Sequence, residues 1–325
     1  MNKQYTLSLI SDELAQTVTN KSEFFKTIES IVPWNEWIAI IKPHYYEGKR
    51  GNKPYDLERM LRIHLIQNLY NLSDMSVMNE IIDSRAFSRF CGVDSSNQVP
   101  NGDTIGRFRA LLEKNGLQKK LFEQVVTMLM ERGLILKKGS IVDSTIITAP
   151  PSTKNAERKR DTDASSAKKG STWYFGYKAH IGADKDTGLV HHVKVTGANE
   201  HDVTVIPELL TGCEETVNGD SGYLGAEKRV NAVIKNDKGK RIRYCINRRP
   251  SQYKHNSTAS RGQIKRRERE KSSVRAKVEH VFGVVKVLFG FYKTRYKGLF
   301  KQEAKLNMMF TLANLYLAGK RFLAT

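Results

Sequence analysis

The sequence changes its periodicity at about residue 137, and no other feature limits the possible fold as strongly. Before this point, apolar residues recur at helical spacing, most clearly over residues 56–72. After it, residues 140–148 are rich in β-branched side chains, which predicts a strand. We therefore expect an all-helical N-terminal domain over residues 1–135 and a mixed α/β domain over residues 136–325.

The N-terminal domain contains further helical patterns. Ser73 and Asn101 are expected to lie at the caps of two more helices, and another helical run covers residues 117–132 and stops at Gly133. Short helices joined by tight turns fit a helix-turn-helix motif, and they also fit a plain helical bundle. The pattern alone does not separate these two interpretations.

The second domain alternates strands with helices. Strands are predicted at 140–148, 173–183, 189–196, 216–218 and 242–247, and helices at 201–210, 225–235 and 272–288. The segment 148–172 is dense in Ser, Thr, Lys, Asp and Pro, which predicts a mobile loop. Residues 249–271 are expected to form a basic insertion.

Positive charge is concentrated at the end of the chain. The 325 residues include 54 Lys and Arg against 34 Asp and Glu, a net charge of +20. Residues 235–325 alone hold 24 basic and 5 acidic residues, whereas residues 1–135 are almost neutral. A solvated basic tail is one interpretation. Because the segment also has strand and helix patterns, we favour a folded phosphate-binding surface that includes Arg266 and Arg267.

Several classes of protein are not expected from the composition. The three cysteines, Cys91, Cys213 and Cys245, are odd in number and widely spaced, which predicts neither a disulfide framework nor a Cys-type zinc site. No run reaches the ~18 consecutive apolar residues of a membrane span, and the first residues lack the apolar run of a signal peptide. We expect a cytoplasmic protein with a polyanionic partner.

Three acidic residues stand out by their context. Asp143 lies in the middle of an apolar strand, where a carboxylate is costly unless it has partners or a metal. Asp220 follows a short strand between two glycines, which allow close approach of a ligand. Glu279 is one of the few acids in the basic segment. On a helix it falls within about 40° of Arg275 and Lys286, although an exposed Arg275–Glu279 pair is an alternative explanation.

These acids suit hard divalent cations. Mg²⁺ prefers oxygen ligands and commonly takes one or two carboxylates, and two such ions about 3.5–4 Å apart can promote displacement at a phosphodiester. We therefore predict that Asp143, Asp220 and Glu279 bind two Mg²⁺ ions, with Mn²⁺ able to substitute. Beside a basic surface, this site indicates phosphoryl transfer on DNA or RNA.

Other side chains allow two interpretations. Lys178 and His180 share one face of a strand and either approach scissile phosphates or are satisfied within the sheet. Asp202 competes with Asp220 as the second carboxylate, or it caps a helix. A zinc site is a weak alternative for three histidines that lack known zinc spacing: His191, His192 and His201. Four aromatic residues either stack on bases or belong to the core: Trp173, Tyr174, Phe175 and Tyr177.

Motifs along nearly the whole chain resemble those of one family. They include Val142-Asp-Ser-Thr-Ile-Ile147, Gly219-Asp-Ser-Gly-Tyr-Leu-Gly225 and Arg275-Ala-Lys-Val-Glu-His280. Further matching stretches, in order, are 54–55, 60–64, 70–74, 103–104, 108–109, 149–150, 173–182, 198–202 and 310–315. The sequence resembles bacterial insertion-sequence transposases of the DDE superfamily, specifically the IS-five family.

The resemblance implies an RNase H-like catalytic core with Asp143, Asp220 and Glu279 as its metal-binding triad. The family pattern Tyr-x2-Arg-x3-Glu-x6-Lys is matched at Arg275, Glu279 and Lys286, whereas Ser272 stands in the place of the Tyr. The implied reaction is hydrolytic nicking at the ends of the element. The exposed 3′ hydroxyl then attacks target DNA, without a covalent protein intermediate.

The resemblance also implies partners and roles. The N-terminal domain would bind terminal inverted repeats and contribute to dimerisation. Because this domain has almost no net charge, we expect it to recognise DNA through single side chains such as Arg107 and Arg109. Arg275 and Lys286 would position the DNA backbone. A homodimer on double-stranded DNA, in a bacterial nucleoid, is expected. Two rivals are a nuclease that cuts without joining and a DNA-binding protein that has lost catalysis.

Overall fold

The computed structural model describes residues 17–46, 48, 53–154, 158–254 and 257–322. The predicted loop 148–172 and the predicted insertion 249–271 therefore each include a few residues outside the described ones, as do both termini. The chain forms two compact units, Met1–Asn115 and Gly116–Thr325. Among the described residues, none of the helices is both long and apolar enough to cross a membrane.

The first unit consists of helices and short turns. In chain order they are α1 (Asn20–Ile31), α2 (Trp34–Ile41), α3 (Leu57–Leu69), α4 (Asp74–Asp83), α5 (Arg85–Phe90) and α6 (Gly102–Lys114). Side-chain caps fix the starts of four of them, because Thr19, Asp56, Ser73 and Asn101 each accept a hydrogen bond from a backbone N–H in the first turn. The last three starts confirm helices predicted from the sequence.

The second unit contains one mixed sheet with helices packed on it. Its helices are α7 (Leu117–Glu131), α8 (Thr258–Gly283), which continues into a π-helical turn (Val284–Leu288), and α9 (Leu299–Phe322). Its strands are β1 (Gly139–Thr148), β2 (Ser165–Lys169), β3 (Thr172–Asp184), β4 (Val190–Gly197), β5 (Thr216–Gly219) and β6 (Arg243–Ile246). This confirms the predicted mixed α/β class.

Strand β1 lies in the middle of the sheet. The order is β2-β3-β1-β5-β6, with β4 also paired to β3. β1 runs antiparallel to β3 and parallel to β5, and β5 runs parallel to β6. Helix α9, in which most of the described side chains are buried, packs against α7 and β4. This packing assigns α7 to the second unit, although its sequence periodicity matches that of the helices before it.

Several elements differ from the sequence prediction. Part of the predicted loop is strand β2, which has almost no apolar residues and is held by backbone pairing with β3. The predicted helix at 201–210 is two 3₁₀ turns, Asp202–Thr204 and Ile206–Leu209, the second with Pro207 near its start. The predicted helix at 225–235 is only the turn Ala226–Lys228. Helix α8 starts at Thr258, well before the expected residue 272, because Ser257 caps it.

Candidate active site

Two of the three predicted acids lie near each other at one end of two parallel strands. Ile141 of β1 is the register partner of Asn218 of β5; Asp143 lies two residues further along β1, and Asp220 lies just past the end of β5, close enough for its charge to raise the pKa of Asp143. Gly222 donates its N–H to Oδ1 of Asp220 at 2.8 Å, which fixes that carboxylate. The preceding Gly219 leaves room for the ring of Tyr223, since a Cβ there would approach it to 3.0 Å.

Asp143 is in an electrostatically unfavourable position. Its side chain is only 15% exposed. Burial raises its pKa to about 6, although the N–H of Ser144, 2.8 Å from Oδ1, and the charge of Arg275 oppose the shift. The negative charges of Asp220 and Asp202 raise it further. An ionised Asp143 therefore lacks sufficient compensating charge, which is the environment that favours a bound cation.

Arg275 links Asp143 to the third predicted acid. Its Nη1 lies 3.6 Å from Oδ2 of Asp143, and its Nη2 lies 3.4 Å from Oε1 of Glu279, one helical turn further along α8. Val278 and Val281 bury the opposite face of this helix. The side chain of Glu279 is 63% exposed. The structure thus contains the exposed Arg–Glu pair that the sequence allowed, and it places that pair beside Asp143.

Lys286 lies in the π-helical turn that follows α8. Its Nζ donates to the carbonyl oxygen of Ile146 at 2.8 Å, on the strand that carries Asp143. Burial lowers the pKa of this amine, and the nearby charge of Lys169 lowers it further. The amine therefore satisfies a backbone carbonyl of β1, next to the acidic site.

Asp202 has a central role that the sequence only partly indicated. It does not cap the turn in which it lies. Its Oδ1 instead accepts a hydrogen bond from Ser144 Oγ at 2.8 Å, and it lies 3.1 Å from Nζ of Lys178 and 3.5 Å from Nδ1 of His180. Strand alternation identified Lys178 and His180 as a pair, but their common partner comes from a distant turn and could not be read from the sequence.

The surroundings of His180 favour the uncharged form of its ring. It is buried, with Nε2 2.9 Å from Oγ1 of Thr196. Burial lowers its pKa to about 4, against the opposing charge of Asp202. At neutral pH the ring is uncharged, so in this geometry the positive charge near Asp202 comes from Lys178, whose Nζ also donates to the carbonyl of Glu200 at 2.6 Å.

Comparison with known families identifies the chain. A family model described as Transposase DDE domain matches residues 136–315, which include all three acids and Arg275. The chain belongs to the Transposase DDE domain family. A second model, described as Transposase domain (DUF772), matches residues 12–111 of the helical part. Helix α7 lies between the two matched regions. The mixed sheet and the N-terminal helical region are consistent with the RNase H-like core of a DDE transposase.

The donor set of this transposase fits a divalent cation at two of its three acids. Asp143 provides carboxylate oxygens from β1 and Asp220 from the residue just past β5, and burial, with the nearby charges of Asp220 and Asp202, raises the pKa of Asp143. Within the described ranges, no group of three or more His, Cys, Asp or Glu side chains is arranged to hold a metal. The carboxylate of Glu279 is instead paired with Arg275.

The other predicted site residues of the transposase lie in varied surroundings. Arg266 and Arg267 are exposed on α8, with Arg266 3.5 Å from Glu270. Arg107 is exposed on α6, whereas Arg109 forms ion pairs with Asp74 and Glu113.

His191 lies 3.0 Å from Ser140 Oγ and 2.8 Å from His192, within the sheet. The hydroxyl of the buried Tyr177 donates to Asp161, while Trp173 is 68% exposed.

Proposed function

We propose that this chain is a DNA transposase of the IS-five type, which binds the terminal inverted repeats of an insertion sequence and cleaves and joins DNA strands. The observation that carries the proposal is the pair formed by Asp143 on β1 and Asp220 just past the end of the adjacent parallel strand β5, with Arg275 connecting Asp143 to Glu279. Asp143, Asp220 and Glu279 would hold two Mg²⁺ ions, or Mn²⁺ in their place. A homodimer on DNA would process both ends of the element.

Each side chain has a distinct part in this reaction. When bound, the two ions supply the positive charge that activates an attacking hydroxyl and stabilises the leaving oxygen. Asp143 must release its proton before it can bind a cation. Arg275 keeps Glu279 close to the site and becomes available to the DNA backbone when Glu279 turns inward. Lys178, positioned by Asp202, would contact a scissile phosphate, and Lys286 would support the strand beneath it.

Binding of DNA would involve both matched regions. The exposed Arg266 and Arg267 lie on the same helix as Glu279, so phosphates bound there lead toward the acids. In the helical unit the exposed Arg107 is the better candidate for binding a repeat, because Arg109 is engaged in two ion pairs. His180 would position Asp202 rather than bind phosphate, since its ring is buried and uncharged.

The direct test is cleavage of the element's own ends. The protein is incubated with end-labelled DNA and Mg²⁺, and the cut positions are mapped. We expect Mg²⁺-dependent nicks at the element ends, lost in Asp143→Asn. Asp186→Asn is the matched control, because Asp186 is an exposed acid in the β3–β4 turn. Absence of a cut that Asp143→Asn abolishes would support the alternative of a DNA-binding protein without catalysis.

A second assay separates a transposase from a nuclease. A pre-cleaved element end with a free 3′ hydroxyl is supplied together with a target plasmid. A transposase joins the two molecules, whereas an RNase H-like nuclease yields only shortened DNA. Failure to detect a joined product, under conditions in which the ends are cut, would favour the nuclease.

A further inference from the structure

Strands β2 and β3 form an arm that extends beyond the rest of the sheet. β1 and β4 pair with β3 from Gly176 and Tyr177 onward, respectively, toward Asp184. Before Gly176, β3 pairs with β2, and the carbonyl of Phe175 also accepts a backbone hydrogen bond from Ala149 at 2.8 Å. Gly170, with φ of +62°, closes the turn between them. The tip of the arm is therefore a two-stranded ribbon.

One face of this arm combines aromatic rings with cations. Trp173 is directly opposite Lys168, and Phe175, two residues along β3, lies on the same face. The guanidinium of Arg160 is 5.6 Å from the centre of the Phe175 ring. The indole of Trp173 is 68% exposed. Open aromatic rings between positive charges are the features with which proteins bind unstacked nucleobases.

The base of the arm is anchored by hydrogen bonds to the start of α9 and the residue before it. Tyr177, the next aromatic on the same face, is fully buried and hydrogen-bonds Asp161. Gly298 donates its N–H to Asp161 at 3.0 Å, and Leu299 donates to Asp163 at 2.9 Å. A rigid aromatic side chain loses little conformational entropy on binding, which favours its use in recognition.

The distance between Trp173 and Asp143 along the sheet follows from the register of β1 and β3. Asp143 is opposite Ile181 of β3, and Trp173 lies eight residues before Ile181 on the same face. At about 3.3 Å per residue, the separation along the strand is about 26 Å. That length corresponds to about eight base pairs of duplex DNA. Lys169 at the tip also lies close enough to Lys286 to lower its pKa.

We propose that the β2–β3 arm is a nucleobase-binding site in which Trp173 stacks on a base that has left the duplex stack. Lys168 and Arg160 would contact the phosphates on either side of that base. The base comes either from local melting or from a kink in paired DNA. This inference rests on the proposed function, because it places the distorted step about eight base pairs from the scissile phosphate.

The test compares three duplexes of one length that carry the element end, in the presence of EDTA to prevent cleavage. One is intact, one has a short mismatched bubble about eight base pairs from the cut, and one is fully paired with a nick there. We expect the wild type to bind the bubble or the nicked duplex more tightly than the intact one by about 5- to 150-fold. Preference for the bubble indicates melting, and preference for the nick indicates kinking.

Variants of the arm decide the outcome. Trp173→Ala should abolish the preference without changing affinity for intact DNA, and Trp173→Phe should retain most of it. Lys168→Gln, the electrostatic control, should weaken binding to all three duplexes alike. The inference is wrong if the wild type binds the three duplexes equally, or if Trp173→Ala keeps the preference. Failure to bind any of the duplexes would instead refute the proposed function on which the inference rests.

Discussion

Nη1 of Arg275 lies 3.6 Å from Oδ2 of Asp143, so this largely buried acid already has a cationic neighbour. That neighbour does not neutralise the effect of burial, because the pKa of Asp143 is still raised to about 6. The active site therefore stores unfavourable electrostatic energy in the metal-free protein. Unfavourable energy of this kind is expected at functional sites, where the residues that activity requires reduce the stability of the fold.

The first prediction concerns the stability of metal-free protein. A carboxyl group with a raised folded-state pKa favours folding at low pH, and this contribution is lost as pH rises through about 6. Asp143→Asn should therefore raise the free energy of unfolding at pH about 8 by about 1–3 kcal/mol, and the gain should disappear near pH about 4. Urea denaturation in EDTA at both pH values measures this, with Asp186→Asn as control. Equal stabilities at the higher pH would contradict the prediction.

The second prediction concerns Mg²⁺. Because the cation competes with a proton for Asp143, its affinity should fall about tenfold for each pH unit below about 6. Mg²⁺ at about 100 times its Kd should stabilise the wild type by about 2.7 kcal/mol at neutral pH. Differential scanning fluorimetry across a Mg²⁺ titration measures both effects. Asp143→Asn should show little response, and a response as large as that of the wild type would argue against Asp143 as a ligand.

The third prediction concerns the helical unit. Arg109 joins α6 to α4 through Asp74, at 2.7 Å, and its side chain is only 17% exposed. Arg109→Gln leaves Asp74 and Glu113 without their cation, so we expect a loss of about 1–3 kcal/mol in unfolding free energy. Arg107→Gln, on the exposed face of the same helix, should change stability by less than about 0.5 kcal/mol. Chemical denaturation of both variants compares them, and equal effects would exclude a structural role specific to Arg109.

The fourth prediction concerns the exposed cations of α8. If Arg266 and Arg267 bind phosphates, replacing both by Gln should reduce the slope of log K against log salt concentration by about 0.9 for each phosphate that is no longer neutralised. Binding titrations over a range of salt concentrations measure the slope. Arg229→Gln, an exposed cation of another segment, serves as the control and should leave the slope unchanged. An unaltered slope in the double variant would place the phosphates elsewhere.

The sequence predicted the helices and strands in which burial of one face gives the apolar residues a regular spacing. Helix α3, with Met60 and Leu61 in the core, and strand β1, with Ile141 and Val142, are where the pattern placed them. The first half of α8 could not be predicted in this way because it is solvated and has no apolar stripe. Strand β2 could not be predicted because backbone pairing, rather than side-chain burial, holds it.

The site was predictable in part for a similar reason. Asp143 was conspicuous because a charge interrupts an apolar strand, and Asp220 because glycines surround it. The link between Lys178 and Asp202 depends on a turn that returns to the strand from 24 residues away in the sequence, and no local pattern encodes such a distance. Trp173 and Tyr177 follow the same alternating pattern in the sequence. The ring of Tyr177 is buried, whereas that of Trp173 is exposed because Trp173 lies in the arm beyond the rest of the sheet.

The length of α8 has a mechanical consequence. The helix is held at two places. Val278 is buried in the core, and ten residues earlier Glu268 accepts hydrogen bonds from the N–H of Arg248 and from Nδ2 of Asn247. These two places lie about 15 Å apart along the axis, so a tilt of the helix at Arg266 would break the bonds to Glu268. The helix thus acts as a strut with two supports, and phosphates bound at Arg266 would be held in a fixed position relative to Asp143.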